Sequence, residues 1–481
     1  MPLVAGVDCS TQSTKVFVVE SDTGTIVGSG RSGHAVTGSD GARETDPGVW
    51  WKALAKALAE TGHGSQVRAI SVAGQQHGMV VLDQAGEPLR PAKLWNDTES
   101  APDAAALIET MGGPQWWAEH IGLVPVASFT ATKWAWLRRV EPDIAAATAA
   151  IRLPHDFLNE RLTGTGTTDR GDGSGTAWWS TATEQYAPDV MELTALRLDS
   201  ALLPVVLGPQ DTAGEVTTAS AGYLGLTPGI PVGPGTGDNA GAALGLGLDA
   251  GTPVISLGTS GAAFMVSRTR TVDPSGTVAG FADASGRFLP LAATLNCTLA
   301  VDRIAAWLGL DREAAAEQTD AVVLPYLDGE RTPNLPNAAA TITGLRHTTT
   351  PEQILRAAYE GAAMSLLSAI DVIDAHSSGV DAAAPIVLVG GGAKGETWRK
   401  VIGELSGRAV EVPAAQELVA LGAAAQAAAM LSGEPPEAIA RRWETRRGTV
   451  LPAVARNEEA LTRIRRVEQA TAALNATDPT L

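Results

Sequence analysis

Cysteine is nearly missing from this chain of 481 residues, which has only Cys9 and Cys297. Two thiols build neither a disulfide scaffold nor a cysteine zinc site, and they fit a reducing compartment. Basic charge is scarce as well: 35 Lys+Arg face 53 Asp+Glu, a formal charge of −18. Nucleic acid and anionic membranes need a basic surface, so neither is expected as a partner. No apolar run reaches the length of a membrane span. Residues 1–10 lack a basic start and carry Asp8 where a leader would be apolar, so no signal peptide is expected. Together these absences predict a cytoplasmic location.

Several chemistries are missing too. No serine has glycine at both −2 and +2, so the hydrolase nucleophile elbow is absent. The seven histidines show no metal-ligand spacing. Gly390 to Gly395 is followed by Glu396, which excludes a Walker loop, and residues 8–15 contain no glycine, which excludes a Rossmann fingerprint there.

What is present is an ordinary folded composition, 44% hydrophobic and 18% charged, over a length that predicts roughly two to four domains. Glycine and proline (52 and 28 residues) cluster between apolar, β-branched runs, the pattern of an α/β protein. Residues 3–7 and 16–19 read as a hairpin around a polar turn, with a third strand over residues 25–28. Asp46-Pro47 opens a helix whose Trp50, Leu54 and Leu58 form a buried stripe. Residues 67–72 and 79–82 are strand-like, and Thr350-Pro351-Glu352-Gln353 is a capping box. The opening pattern recurs at residues 254–257 and 262–266, again around a small polar turn. This repeat predicts two similar α/β domains across a cleft, with the boundary in the glycine-rich stretch 233–251. The tryptophan pairs 50–51, 116–117 and 178–179 are expected in the core rather than on a sugar.

Five segments carry candidate chemistry. Asp8-Cys9-Ser10-Thr11-Gln12-Ser13-Thr14-Lys15 offers hydroxyls, amides and one lysine that suit a phosphate, with Asp8 placed to hold Mg²⁺ through water. A plain polar hairpin explains the same residues. Gly258-Thr259-Ser260-Gly261 has the same two readings without a carboxylate. Gly390-Gly391-Gly392 follows an apolar strand, and three glycines cost backbone entropy that a simple turn does not require. An adenine or ribose lying against that backbone accounts for them, as does close strand–helix packing. Asp238 and Asn239 follow a glycine-rich turn, where Asp238 is either a helix cap or a general base. Gln76 and His77 end a strand, where they are either structural or contacts for a polyhydroxylated ligand.

In this order the segments resemble the FGGY family of carbohydrate kinases along nearly the whole chain. Ser128-Phe129-Thr130-Ala131-Thr132-Lys133-Trp134-Ala135-Trp136-Leu137 resembles the family's first signature, with Val140 where a polar residue is usual. Residues 340–345 and 353–361 resemble the second, and Leu324-Pro325-Tyr326-Leu327-Asp328-Gly329-Glu330-Arg331-Thr332-Pro333 is also familial. Gln75-Gln76-His77-Gly78, Leu94-Trp95-Asn96-Asp97, Thr168-Asp169 and Gly175-Thr176 resemble the members that phosphorylate D-xylulose; glycerol-specific members carry Arg-Glu at the position of Gln76-His77. Ahead of Ala420-Leu421-Gly422 the usual paired acids are missing, although Glu417 remains.

The resemblance implies two actin-like (ribonuclease H-like) ATPase domains facing across a cleft, residues 1–245 on the sugar side and 246–481 on the nucleotide side. It implies ATP with Mg²⁺, and transfer to the C5 hydroxyl of D-xylulose, other ketoses or polyols (ribulose, gluconate, glycerol) being the alternative. Asp238 would be the catalytic base, Asp8 a second residue needed for activity, and Gln76, His77 and Asn239 sugar contacts. Ser10, Thr11, Gly258, Thr259, Gly391, Gly392 and Gly395 would line the nucleotide. A homodimer is also implied.

Overall fold

The computed structural model describes residues 1–475; residues 476–481, the end of the expected second domain, lie outside the described residues. The first hairpin forms as the sequence indicates. Strand β1 (Leu3–Cys9) pairs antiparallel with β2 (Ser13–Glu20), which pairs antiparallel with β3 (Ile26–Gly33). On its other side β1 runs parallel to β4 (Val67–Gly74), and β4 runs parallel to β5 (Pro231–Val232). β1 is buried along nearly its whole length, as a central strand covered on both faces must be.

β3 extends five residues beyond the predicted 25–28. Its glycines serve packing: a Cβ on Gly30 would sit 1.9 Å from the carbonyl oxygen of Ala57. Ala57 belongs to helix α1 (Gly48–Thr61), which starts one residue later than Asp46-Pro47 suggests: Pro47 is the N-cap, and Asp46 ahead of it accepts from the Gly48 N–H at 2.8 Å. The stripe Trp50, Leu54 and Leu58 is fully buried against β2 and β3.

The second half repeats this order. After helix α2 (Asp238–Gly245), β6 (Val254–Leu257) pairs antiparallel with β7 (Gly261–Phe264), and β7 with β8 (Phe288–Thr294). β6 is parallel to β9 (Ile386–Val389), and β9 to β10 (Val410–Pro413). The sheets therefore read β3-β2-β1-β4-β5 and β8-β7-β6-β9-β10, each with an antiparallel strand beyond its parallel edge. Helix α3 (Pro351–Ala375) starts at the expected capping box: Thr350 Oγ1 accepts from the Gln353 N–H, and Gln353 Oε1 from the Thr350 N–H.

The halves are joined by helix α4 (Leu418–Ser432), whose sequence is apolar all round. It comes from the second half yet packs on β1, β4 and α2. Glycine makes the approach possible: a Cβ on Gly6 would lie 1.9 Å from the Ala420 carbonyl, and one on Gly422 2.0 Å from that of Gly241. The one polar residue buried in α4, Gln426, accepts from Ser71 Oγ (2.9 Å) and donates to the Gly235 carbonyl (3.0 Å), pinning the loop that precedes α2. Among the described residues no helix is long and apolar enough to cross a membrane.

The tryptophan pairs are core residues in part, since Trp51 and Trp116 are only half-buried, with Trp116 stacked on His120 at 4.5 Å. Trp50, Trp117, Trp178 and Trp179 are buried, and half-buried Trp51 stacks on Tyr223 at 5.6 Å.

Candidate active site

The two halves enclose a cavity of about 310 Å³, near the lower end of the roughly 300–1,000 Å³ usual for small-molecule sites. Sheet register explains what lines it. Thr236-Gly237 pairs with Ala73-Gly74 at the end of β4, so Asp238 and Gln75 leave the sheet side by side. Asn239 Nδ2 then reaches both Asp238 Oδ1 (2.9 Å) and Gln76 Oε1 (3.0 Å), and the Asn239 N–H also donates to Asp238 Oδ1 at 2.8 Å. Gln76, His77, Asp238 and Asn239 all line the cavity, together with Gly258 and Thr259 from the opposite turn.

Asp238 is half-buried at the first residue of α2. Burial pushes its carboxyl up to about 7, helped by the negative charges of Asp8 and Asp172. A carboxylate poised near neutrality suits a base that accepts a hydroxyl proton.

His77 is buried in the left-handed backbone region (φ 65°). Its ring meets Phe129 edge-on at 5.0 Å and Phe281 at 5.4 Å, one aromatic from each half. Burial, with the charges of Lys133 and Arg331, lowers its pKa to about 3, so the ring is neutral at pH 7 with one donor and one acceptor. Gly175 is required by this ring: a Cβ there would stand 2.5 Å from Nδ1. The Gly175-Thr176 pair of the sequence thus has a steric cause. Lys133 holds the loop carrying Phe129, donating to the carbonyls of Ala127 (3.0 Å) and Ser128, and burial lowers its pKa to about 7.

Asp8 closes β1 and is buried. Its Oδ1 accepts from Ser10 Oγ at 2.5 Å, and Lys15 lies 3.5 Å from Oδ2 while bonding Glu417 at 2.7 Å. Burial raises the Asp8 pKa, opposed by the Ser10 hydroxyl and the Lys15 charge. Thr11 accepts from the indole N–H of Trp95, which also lines the cavity. In the opposite turn, the Gly258 carbonyl accepts from the Thr298 N–H and hydroxyl, and the Thr259 carbonyl from the Leu299 N–H. Both carbonyls are thereby engaged by the start of helix Thr298–Leu308.

The glycines at 390–395 lie outside the cavity lining. Packing accounts for most of them: a Cβ on Gly390 or Gly392 would strike Leu257 (2.8 Å), and one on Gly395 would strike Glu313 (2.5 Å). Gly391 is exposed with open space before it, so it alone offers a free face next to the 257–258 backbone.

Sequence reasoning missed three contributors. Trp95 was visible only as part of a motif. Arg331 lines the cavity from the second half. His155 is fully buried beneath the Gly235 turn, with Nδ1 2.7 Å from Asp172 and Nε2 3.2 Å from Asp156. Burial opposes its charge, but Asp156, Asp172 and Asp169 override it and hold the imidazolium up to about 9. No periodicity or spacing announces a cluster assembled from helix Pro154–Thr163 and the turn after strand Thr167–Asp169.

Two sheets of one order, facing a cleft with a carboxylate at its floor, define the actin-like (ribonuclease H-like) ATPase fold. Residues 3–245 match the N-terminal domain of the FGGY family of carbohydrate kinases and residues 254–431 its C-terminal domain. The chain belongs to the FGGY family of carbohydrate kinases. It is 57% identical over 465 residues to the xylulose kinase of Streptomyces coelicolor, covering 96% of this chain and 95% of that one. It is 34% identical to the xylulose kinase of Escherichia coli, covering 87% and 88%. The crystal structure of xylulose kinase from Bifidobacterium adolescentis superposes with a TM-score of 0.86 at 40% identity, covering 97% and 99%.

Proposed function

We propose that this carbohydrate kinase transfers the γ-phosphoryl group of ATP to the C5 hydroxyl of D-xylulose, giving D-xylulose 5-phosphate and ADP. One observation carries the reading: Asp238, with its raised pKa, shares Asn239 with Gln76 on the wall of a cavity that Gly258 and Thr259 close from the other side. The names of the relatives, xylulose kinases at up to 57% identity, support the choice of sugar.

In this reading Asp238 accepts the C5 hydroxyl proton as that oxygen attacks the γ-phosphorus, and the bond from phosphorus to the ADP oxygen breaks. Gln76, His77 and Asn239 orient the sugar. Ser10, Thr11 and the backbone N–H groups of residues 258–261 hold the phosphates, where charge develops during transfer. Gly391 lies under the nucleoside, with Gly392 and Gly395 shaping that backbone. Asp8 offers the hard oxygen donors that Mg²⁺ prefers, and because Ser10 and Lys15 already hold its two oxygens, contact through water fits best. Bound there, Mg²⁺ would neutralise charge on the β- and γ-phosphates. Residues 1–245 act as the sugar lobe and 246–481 as the nucleotide lobe, in a cytoplasmic homodimer whose size sedimentation would check.

ADP release over a panel of D-xylulose, L-ribulose, gluconate and glycerol tests the proposal. D-xylulose is expected to lead in kcat/KM by about tenfold or more. Equal turnover of another acceptor would overturn the choice of sugar.

A further inference from the structure

We propose that Arg331 is the second lobe's contact with the acceptor sugar, and that it selects an open-chain ketose by donating to the C2 carbonyl oxygen. The inference rests on the kinase reading given above. Arg331 is the one Lys or Arg among the residues lining the cavity. Among the described residues its guanidinium has no hydrogen bond or ion pair with any protein group. The three buried arginines are engaged, Arg356 with Glu360 and Glu404, Arg152 with Glu160, Arg170 with Glu184; half-buried Arg138 and Arg270 also lack a partner among the described residues, but neither lines the cavity. Arg331 is half-buried at the cavity wall, and the desolvation it does undergo without a partner is a cost that lowers its pKa. A ligand that accepts hydrogen bonds would relieve that cost.

The local structure fixes the backbone that carries this side chain. Glu330, 1% exposed, accepts from the N–H groups of Leu295, Asn296 and Arg331 and from the Asn296 side chain. Its oxygens are thereby committed to backbone and amide donors, and it forms no ion pair with the neighbouring guanidinium. Thr332 Oγ1 donates to the Ala293 carbonyl at 2.7 Å, tying the segment to β8 where Ala293 stands opposite Ala262. Small side chains at 262 and 293, both on the cavity wall, leave room for a guanidinium and a sugar. The Arg331 charge also acts on His77 across the cleft.

The chemistry of the acceptor completes the argument. The C5 hydroxyl of a 2-ketopentose is free only in the open chain, because ring closure consumes it. The reactive form therefore presents a C2 carbonyl, which accepts hydrogen bonds and donates none. His77, being neutral, brings one donor, and the Asn239 side chain is already engaged with Gln76 and Asp238. A guanidinium brings five donors in a rigid fork. A polyol, which has hydroxyls only, has less need of it.

The test measures KM for D-xylulose, KM for ATP, kcat and the inhibition constant of xylitol, the matching polyol, in wild type, Arg331→Ala and Arg331→Lys. Arg331→Ala is expected to raise KM for D-xylulose about tenfold or more while KM for ATP stays within about twofold. The xylitol constant should move far less, and Arg331→Lys should fall between. A fall in kcat with an unchanged sugar KM would overturn the proposal by placing Arg331 on the phosphoryl group, as would no change at all. If the wild type phosphorylates a different sugar, the choice of D-xylulose fails. The KM comparison is then made on that sugar, where a rise for Arg331→Ala still supports an acceptor contact and no rise refutes it. Because the guanidinium bonds no protein group and its partial burial is a cost, the melting temperature of Arg331→Ala should not fall below that of the wild type.

Discussion

In the proposed function Asp238 acts as the base, and its pKa sets how it can act. At about 7 its proton is held by burial first, and then by the repulsion of Asp8 and Asp172. A base must be ionised to work, so kcat/KM is expected to rise with pH along an acid limb centred near 7 and to level above it. Activity that stays flat down to pH 5.5 would refute that value. The same shift acts on stability with a definite sign. The folded carboxyl binds its proton more tightly than the unfolded one at 3.8, so stability falls as pH rises from about 4 to about 7. Asp238→Asn should therefore melt about 1–3 °C higher than wild type at pH 8 and equally at pH 4, the gain being modest because the group is half-exposed. At this scale the sequence was readable where a motif advertised itself. Gln76, His77, Asp238 and Asn239 do meet at one cavity. The orphaned Arg331 guanidinium and the buried His155–Asp172 pair depend on folded proximity, which spacing along a chain cannot reveal.

Among the elements, α2 and α4 decide where Asp238 sits. They cross at Gly241 and Gly422 with backbone against backbone, and Gln426 fixes the loop ahead of α2. Replacing a helix-interior glycine by alanine ordinarily gains about 1 kcal/mol. At Gly422 the sign reverses, because the new Cβ would stand 2.0 Å from the Gly241 carbonyl, which has no room to retreat. Gly422→Ala is expected to lose about 1–3 kcal/mol in chemical denaturation and to lower kcat as α2 shifts; a more stable variant would contradict this packing. Both hairpins, α1 and the start of α3 were legible because turn chemistry, capping and periodicity are local. β3 runs past the expected 25–28 because Gly30, which favours no strand by itself, serves the close approach of α1.

For the molecule as a whole, duplication is the organising fact. One strand order appears twice, and each copy carries a turn between its first two strands: residues 258–260 line the cavity, while residues 10–12 reach it only through the bond of Thr11 to Trp95. The repeat was visible in sequence as a strand, a small polar turn and a second strand. The bonds that join the copies were not: Lys15 and Glu417 are 402 positions apart, and α4 returns from the second half to cover β1. In the proposed function Asp238 takes the proton of the acceptor hydroxyl. Turnover of Asp238→Asn at saturating ATP and D-xylulose, with sugar binding followed by calorimetry, tests that directly. The expected result is a kcat lower by about 10²–10⁴-fold with D-xylulose still bound, and turnover close to that of the wild type would contradict it.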